Sequence, residues 1–205
     1  MLNLYFLPVV GLGPSYTINL FGIITSELAS HFISDLIELR NHRIAGNGDS
    51  RIKVIINSSG GDVDSGLAIV DAMLATHEEL TTIGTGEVCS AALPILAAGD
   101  PKRRFITPNC IGMHHRGLTT PAGEYDANLV TEYENYTNIR EQDYADIMGI
   151  LTLKPSSWWL KTAKPDSPLW IPAEDMCRLG IVDSIISPYE NQKRKGRKPH
   201  EICEA

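Results

Sequence analysis

The stretch RIKVIINSSGGDVDSGLAIVDAMLATH, residues 51–77, decides the class of fold. Its opening, RIKVIIN (51–57), is β-branched and apolar and reads as a buried strand closing on SSGGD. LAIVDAMLATH (67–77) then reads as a helix. Between them Gly60–Gly61 carry no β-carbon, so positive φ and a close backbone approach are both permitted. Taken alone, the pair is a tight strand-to-helix turn. An N–H exposed there could also meet a developing negative charge.

The same alternation continues outward. TINLFG (17–22) is a short β run, and SELASHFISDLIELR (26–40) spaces Leu28, Phe32, Ile33, Leu36 and Leu39 as a helix does. NHRIAGNGDS (41–50) is turn-rich. Downstream, TTIGTG (81–86) is a strand and turn, AALPILAAG (91–99) a short helix, and RRFITP (103–108) and CIGMHH (110–115) short strands. Residues 125–151 form the longest helical candidate, with Leu129, Tyr133, Tyr136, Tyr144, Ile147 and Met148 biased to one side. AEDMCRLG (173–180) predicts a helix with Gly180 at C′, followed by the strand IVDSII (181–186). Repeated strand–helix pairs indicate a layered α/β fold. One domain spans 1–188, and a charged tail occupies 189–205.

Hydrophobic residues make up 43% of the 205 positions and charged residues 21%, a globular composition. The net charge of -7 disfavours a general nucleic-acid role. KRKGRK (193–198) could bind an acidic partner but reads as a solvated end. No run of about 18 apolar residues exists, so nothing is expected to span a membrane. MLNLYFLPVVGLG (1–13) has no Lys or Arg ahead of its apolar run and is interrupted by Pro8. It reads as a buried strand or an arm on a partner subunit rather than a signal peptide. Cys89, Cys110, Cys177 and Cys203 show no CxxC pair and no metal-ligand spacing, which points to reduced thiols in the cytoplasm.

Ser90 follows glycines in GTGEVCSAALPILAAG (84–99) and starts a helix. Backbone N–H groups converge there, which suits an attacking oxygen and the oxyanion it creates. An ordinary N-cap serine has the same sequence appearance. In PNCIGMHHRG (108–117), a strand would turn His114 and His115 to opposite faces, so only one can meet Ser90 and a two-histidine metal site is disfavoured. Cys89 reads as packing. Pro94 is best tolerated in a first helical turn, so the helix begins later or bends.

Together these elements resemble the Clp protease proteolytic subunit family over roughly residues 17–187. That family's Asn-Ser-Pro-Gly-Gly turn is matched by INSSGG (56–61), with Ser59 replacing the proline. Its Gly-x-x-x-Ser is matched by GEVCS (86–90), its Ala-Gly helix end by ILAAG (95–99), and its Pro-Asn strand by Pro108–Asn109. Trp170, Glu174, Gly180 and Asp183 match the downstream pattern. The resemblance implies a crotonase-like α/β spiral with a projecting handle helix at about 125–151. It implies a serine-type endopeptidase with Ser90 as nucleophile, His115 selected over His114 as base, and backbone N–H groups of Gly61 and Ala91 as oxyanion donors.

The resemblance further implies homo-oligomeric stacked seven-membered rings, unfolded polypeptide as substrate, no metal or cofactor, and an ATPase unfoldase as the only user of ATP. The family's triad aspartate slot holds Pro168; the nearest acid, Asp166, is assigned as the third triad member, since an imidazole needs an orienting acceptor, with a solvated turn residue as the other reading of Asp166 and Asp183 as an alternative acid. A phage head-maturation protease, a non-catalytic ring subunit and an acyl-CoA enzyme on the same fold are the rival readings.

Overall fold

The computed structural model describes residues 15–45, 51–76, 79–117, 127–162, 164 and 167–186. β1 (Ser15–Ile24) leads into α1 (Ser26–Ala45), β2 (Arg51–Gly61) into α2 (Val63–Ala75), and β3 (Leu80–Cys89) into α3 (Ala92–Ala97). β4 (Arg104–Ile106) and β5 (Ile111–His114) follow, then α4 (Ala127–Leu151) and α5 (Ser156–Thr162). β6 (Leu169–Pro172), α6 (Ala173–Arg178) and β7 (Ser184–Ile185) complete the described chain. The α/β expectation holds, and the long helix lies where its periodicity placed it.

The strands form one sheet in the order β1-β2-β3-β4-β7, all parallel. Parallel strands joined by helices are covered on both faces, which is why β2 buries Ile52, Val54 and Ile56 and also Ile55. α1 packs Phe32, Leu36 and Leu39 into the same core, the stripe its spacing predicted. β3 forks. Its first half pairs with β4 through Thr82–Gly84, and its second half pairs in parallel with β5 through Glu87–Cys89. Gly86, at φ 61, lies between the halves, where a β-carbon would sit 2.7 Å from Asn57 Oδ1. β6 then pairs antiparallel with β5.

Several boundaries differ from the sequence reading, each for a local reason. α1 runs on to Ala45, because Asn41–Ala45 contain neither proline nor glycine to stop it. β2 extends through Gly60 and Gly61, and α2 starts at Val63, capped by Asp62, whose Oδ1 accepts from Ser65 N at 2.8 Å. Pro94 is the third residue of α3, which starts at Ala92, so it falls in the first turn where its missing N–H is not needed. Neither α5 nor β6 was expected. Cys89 and Cys110 are free and buried, as the sequence reading expected of them. The tail 189–205 and the segment 1–13 lie outside the described residues.

Arg104 staples the far edge of the sheet. Its guanidinium donates to both carboxylate oxygens of Asp183, at 3.1 and 2.6 Å, and to the carbonyls of Leu151 and Gly180, each at 2.8 Å. The Arg104 N–H also reaches Asp183 Oδ2 at 2.9 Å. One pair thus ties the end of α4, the end of α6 and the entry to β7 together. Asp183 is engaged there, and its alternative role as partner to an imidazole is removed. Asp183→Ala is expected to lower stability by about 2 kcal/mol, the scale of charge-assisted hydrogen bonds, measured by urea denaturation. A lost turnover with unchanged stability would contradict this assignment.

Candidate active site

Ser90 sits on a sharp elbow between β3 and α3. Its φ is 53, a left-handed value uncommon for a residue with a side chain. Such a backbone costs of the order of 1–3 kcal/mol and persists only when its surroundings hold it. Here Ser90 N donates to Met113 O at 2.7 Å, and Ser90 O accepts from Leu93 N at 3.0 Å. The cap position of α3 is Ala91, with no side-chain cap, so Ser90 is not the N-cap serine that sequence alone left open.

Gly60, at φ 89, lies directly against the elbow. A β-carbon on it would meet Cys89 O at 2.6 Å and Ser90 Cβ at 2.7 Å. Ser58, fully buried, supports this turn: its Oγ donates to Gly22 O at 2.6 Å and accepts from Gly60 N at 3.1 Å.

β5 runs beside the second half of β3 with Met113 opposite Cys89. The residues following these strands therefore emerge side by side, at the carboxyl ends where open α/β sheets hold their sites. His115 Nε2 lies 2.9 Å from Ser90 Oγ. His114 takes the other direction. It is 3% exposed, stacks on Tyr144 with ring centroids 5.3 Å apart, and meets Trp159 edge-on at 5.2 Å. Its Nε2 donates to Trp159 O at 3.0 Å, so Nδ1 is the unprotonated nitrogen of the neutral ring; it is buried without a partner.

Ser90 and His115 open onto a cavity of about 450 Å³ that also meets Ser59, Gly61, Arg140 and Tyr144. Among the described residues the Ala91 N–H has no backbone acceptor. Gly61 leaves no room for a β-carbon, which would run into the backbone of Ile24. α4 closes one side, held to α2 by an Arg140–Asp64 ion pair at 2.7 Å and by the Tyr136 hydroxyl on the same carboxylate. Arg116 pairs with Glu141 at 2.7 Å. These pairs are half-exposed, so each contributes under about 1 kcal/mol, and they define a wall more than they stabilise it. Asp166 lies outside the described residues. Burial, with Glu87 adding to it, pushes the Cys89 thiol up to about 11, so it is neutral beside the serine.

The contributions of α4 are what the sequence reading missed. Tyr144 and Tyr136 read as members of an apolar stripe, yet both use their hydroxyls, and only the tyrosine identity hinted at that.

A hydroxyl beside an imidazole at two parallel strand ends, opening on a cavity, is an arrangement suited to acyl transfer. A family model described as Clp protease matches residues 11–189. The chain belongs to the Clp protease family, a family of peptidases. It is 32% identical over 173 residues to the ATP-dependent Clp protease proteolytic subunit 2 of Gluconobacter oxydans (strain 621H), covering 82% of this chain and 72% of that protein. The subunit 2 of Treponema denticola is 30% identical, covering 81% of this chain and 79% of that protein. The proteolytic subunit 3 of Rhizobium meliloti (strain 1021) is 29% identical, with 84% of each chain covered.

Burial is the largest influence on His114 and pushes its imidazole below the usual histidine range, with the Trp159 carbonyl opposing and His115 adding a smaller lowering. Below about pH 6.5 the unfolded chain takes up a proton that folded His114 refuses. Stability therefore falls as pH drops through that value, and rises with pH within the window. Urea midpoints at about pH 7.5 and 5.5 are expected to differ less in His114→Phe than in the parent chain. An equal pH slope in both would refute this.

Proposed function

We propose that the chain is a serine-type endopeptidase whose nucleophile is Ser90 and whose base is His115. The observation that carries this reading is the 2.9 Å contact between Ser90 Oγ and His115 Nε2 on the strained elbow. With Nε2 unprotonated, the hydroxyl donates to it. Attack on a scissile carbonyl passes the proton to the imidazole, which returns it to the leaving amine. Water then repeats the sequence on the acyl-enzyme. The N–H groups of Gly61 and Ala91 hold the oxyanion, each such donor being worth on the order of 3 kcal/mol.

Asp166 is the proposed orienting carboxylate. β6 runs antiparallel to β5 with Leu169 opposite His114, so the chain enters β6 from the His115 end. Among the described residues no helix is long and apolar enough to cross a membrane, and we place the protein in the cytoplasm. The substrate is unfolded polypeptide, bound as an added strand whose affinity comes from the backbone. The active form is a homo-oligomer of stacked rings served by an ATPase unfoldase. Val130 and Ile139 on α4 are 42% and 58% exposed in the single chain, and a second copy would cover them. An enolate-forming acyl-CoA enzyme has no use for the Ser90–His115 contact.

Ser90→Ala is expected to abolish both fluorophosphonate labelling and peptide hydrolysis, a loss of roughly 10⁶ in kcat, with the same oligomer in size-exclusion chromatography. Retained labelling elsewhere together with retained hydrolysis overturns the nucleophile. Asp166→Asn is expected to reduce kcat by about 10⁴, as loss of the orienting carboxylate does in other triads. A wild-type kcat in that variant removes Asp166 from the site.

A further inference from the structure

We infer that Tyr144, on the handle helix α4, is a positioning residue that sets the oxyanion donor through the Ser90 carbonyl. The inference rests on the reading of Ser90 as nucleophile and the Ala91 N–H as oxyanion donor. The Tyr144 hydroxyl donates to Ser90 O at 3.3 Å, and Leu93 N donates to the same oxygen at 3.0 Å. A carbonyl oxygen has two lone pairs, and both are used.

The carbonyl of Ser90 and the N–H of Ala91 belong to one peptide unit. That unit is planar and trans, so its C=O and N–H point in opposite directions. Holding the oxygen from the α4 side aims the N–H the other way. Donation to the carbonyl also polarises the unit and makes its N–H a stronger donor. The elbow needs such a restraint, because a serine at φ 53 is held by its neighbours and not by its own preference.

The hydroxyl is itself held in place. Tyr144 is 9% exposed, and its ring stacks on His114 at an interplanar angle of 11°. His114 donates to Trp159 O, and Trp159 Nε1 donates to Thr152 Oγ1 at 3.1 Å. Thr152 Oγ1 donates in turn to Met148 O at 2.5 Å, one turn beyond Tyr144 on the same helix. The ring is thus boxed between α4, α5 and the end of β5. Burial also raises the phenol, so the hydroxyl keeps its proton across the working range. An order-to-activity link follows: whatever displaces α4 withdraws the hydroxyl from the nucleophile's own peptide.

Tyr144→Phe in the full-length protein tests this, since it keeps the ring, its stacking and its volume. Peptide hydrolysis is expected to lose about tenfold in kcat, the scale of one hydrogen bond, with KM unchanged. A peptide boronate, whose tetrahedral adduct uses the same oxyanion site, is expected to bind weaker by the same factor. Amide hydrogen exchange across residues 90–93 is expected to quicken while the thermal midpoint stays near that of the parent. Unchanged kcat and unchanged exchange overturn the inference. So does a rise in KM alone, which marks a structural role. If the parent chain shows neither hydrolysis nor Ser90 labelling, the peptidase reading fails, and the exchange measurement still decides whether Tyr144 holds the Ser90–Ala91 peptide.

Discussion

Everything at the site depends on how closely β2 passes beneath the Ser90 elbow. Gly60 leaves no space for even a methyl group between its own backbone and Cys89 O. That approach seats the turn, and the turn sets the direction of the Ser90 hydroxyl. The glycine is therefore required by its neighbour as much as by its own φ of 89. Ser58 adds a polar tie to this approach: within the bulge of β2, it bridges Gly22 of β1 to the amide of Gly60. Strand pairing, turn geometry and the placement of the Ser90 hydroxyl are one constraint seen at three scales.

The fork in β3 explains how two short motifs, far apart in sequence, come to share a site. Once β3 has finished pairing with β4, its remaining residues are free to take β5 as a neighbour. Met113 O then accepts the Ser90 amide, and His115 follows two residues later, just past the end of β5. No long side chain has to reach across the cavity. The geometry comes from ladder hydrogen bonds, which are rigid, rather than from flexible rotamers.

Much of this was legible in the chain. Strand and helix alternation needed only periodicity, and the opposed directions of His114 and His115 needed only the two-residue repeat of a strand. Choosing His115 needed the family resemblance, because periodicity says that the two differ and not which one faces Ser90. α5 and β6 escaped notice because Pro155, Pro165, Pro168 and Pro172 around these seven- and four-residue elements read as turn punctuation. The two glycines of β2 looked like a terminator, yet they are its last paired residues, opposite Ile23 and Ile24 after a one-residue shift of register. Tyr144 was hidden by its own chemistry: a tyrosine among apolar residues at helical spacing reads as packing, and only coordinates reveal a hydroxyl with a target.

The left-handed backbone at position 90 bears on how the sequence can drift over generations. Folding on its own would favour glycine there, which relieves the torsion and adds no clash. A serine kept in so unfavourable a torsion is thus held against the pull of stability, and the residues bracing it inherit part of that obligation. Mutational tolerance should be read outward from this point: narrowest at Gly60, where a β-carbon would meet Cys89 O and Ser90 Cβ, and wider at Met113, whose bond to the elbow uses a carbonyl that any residue supplies, and along the exposed flank of α4.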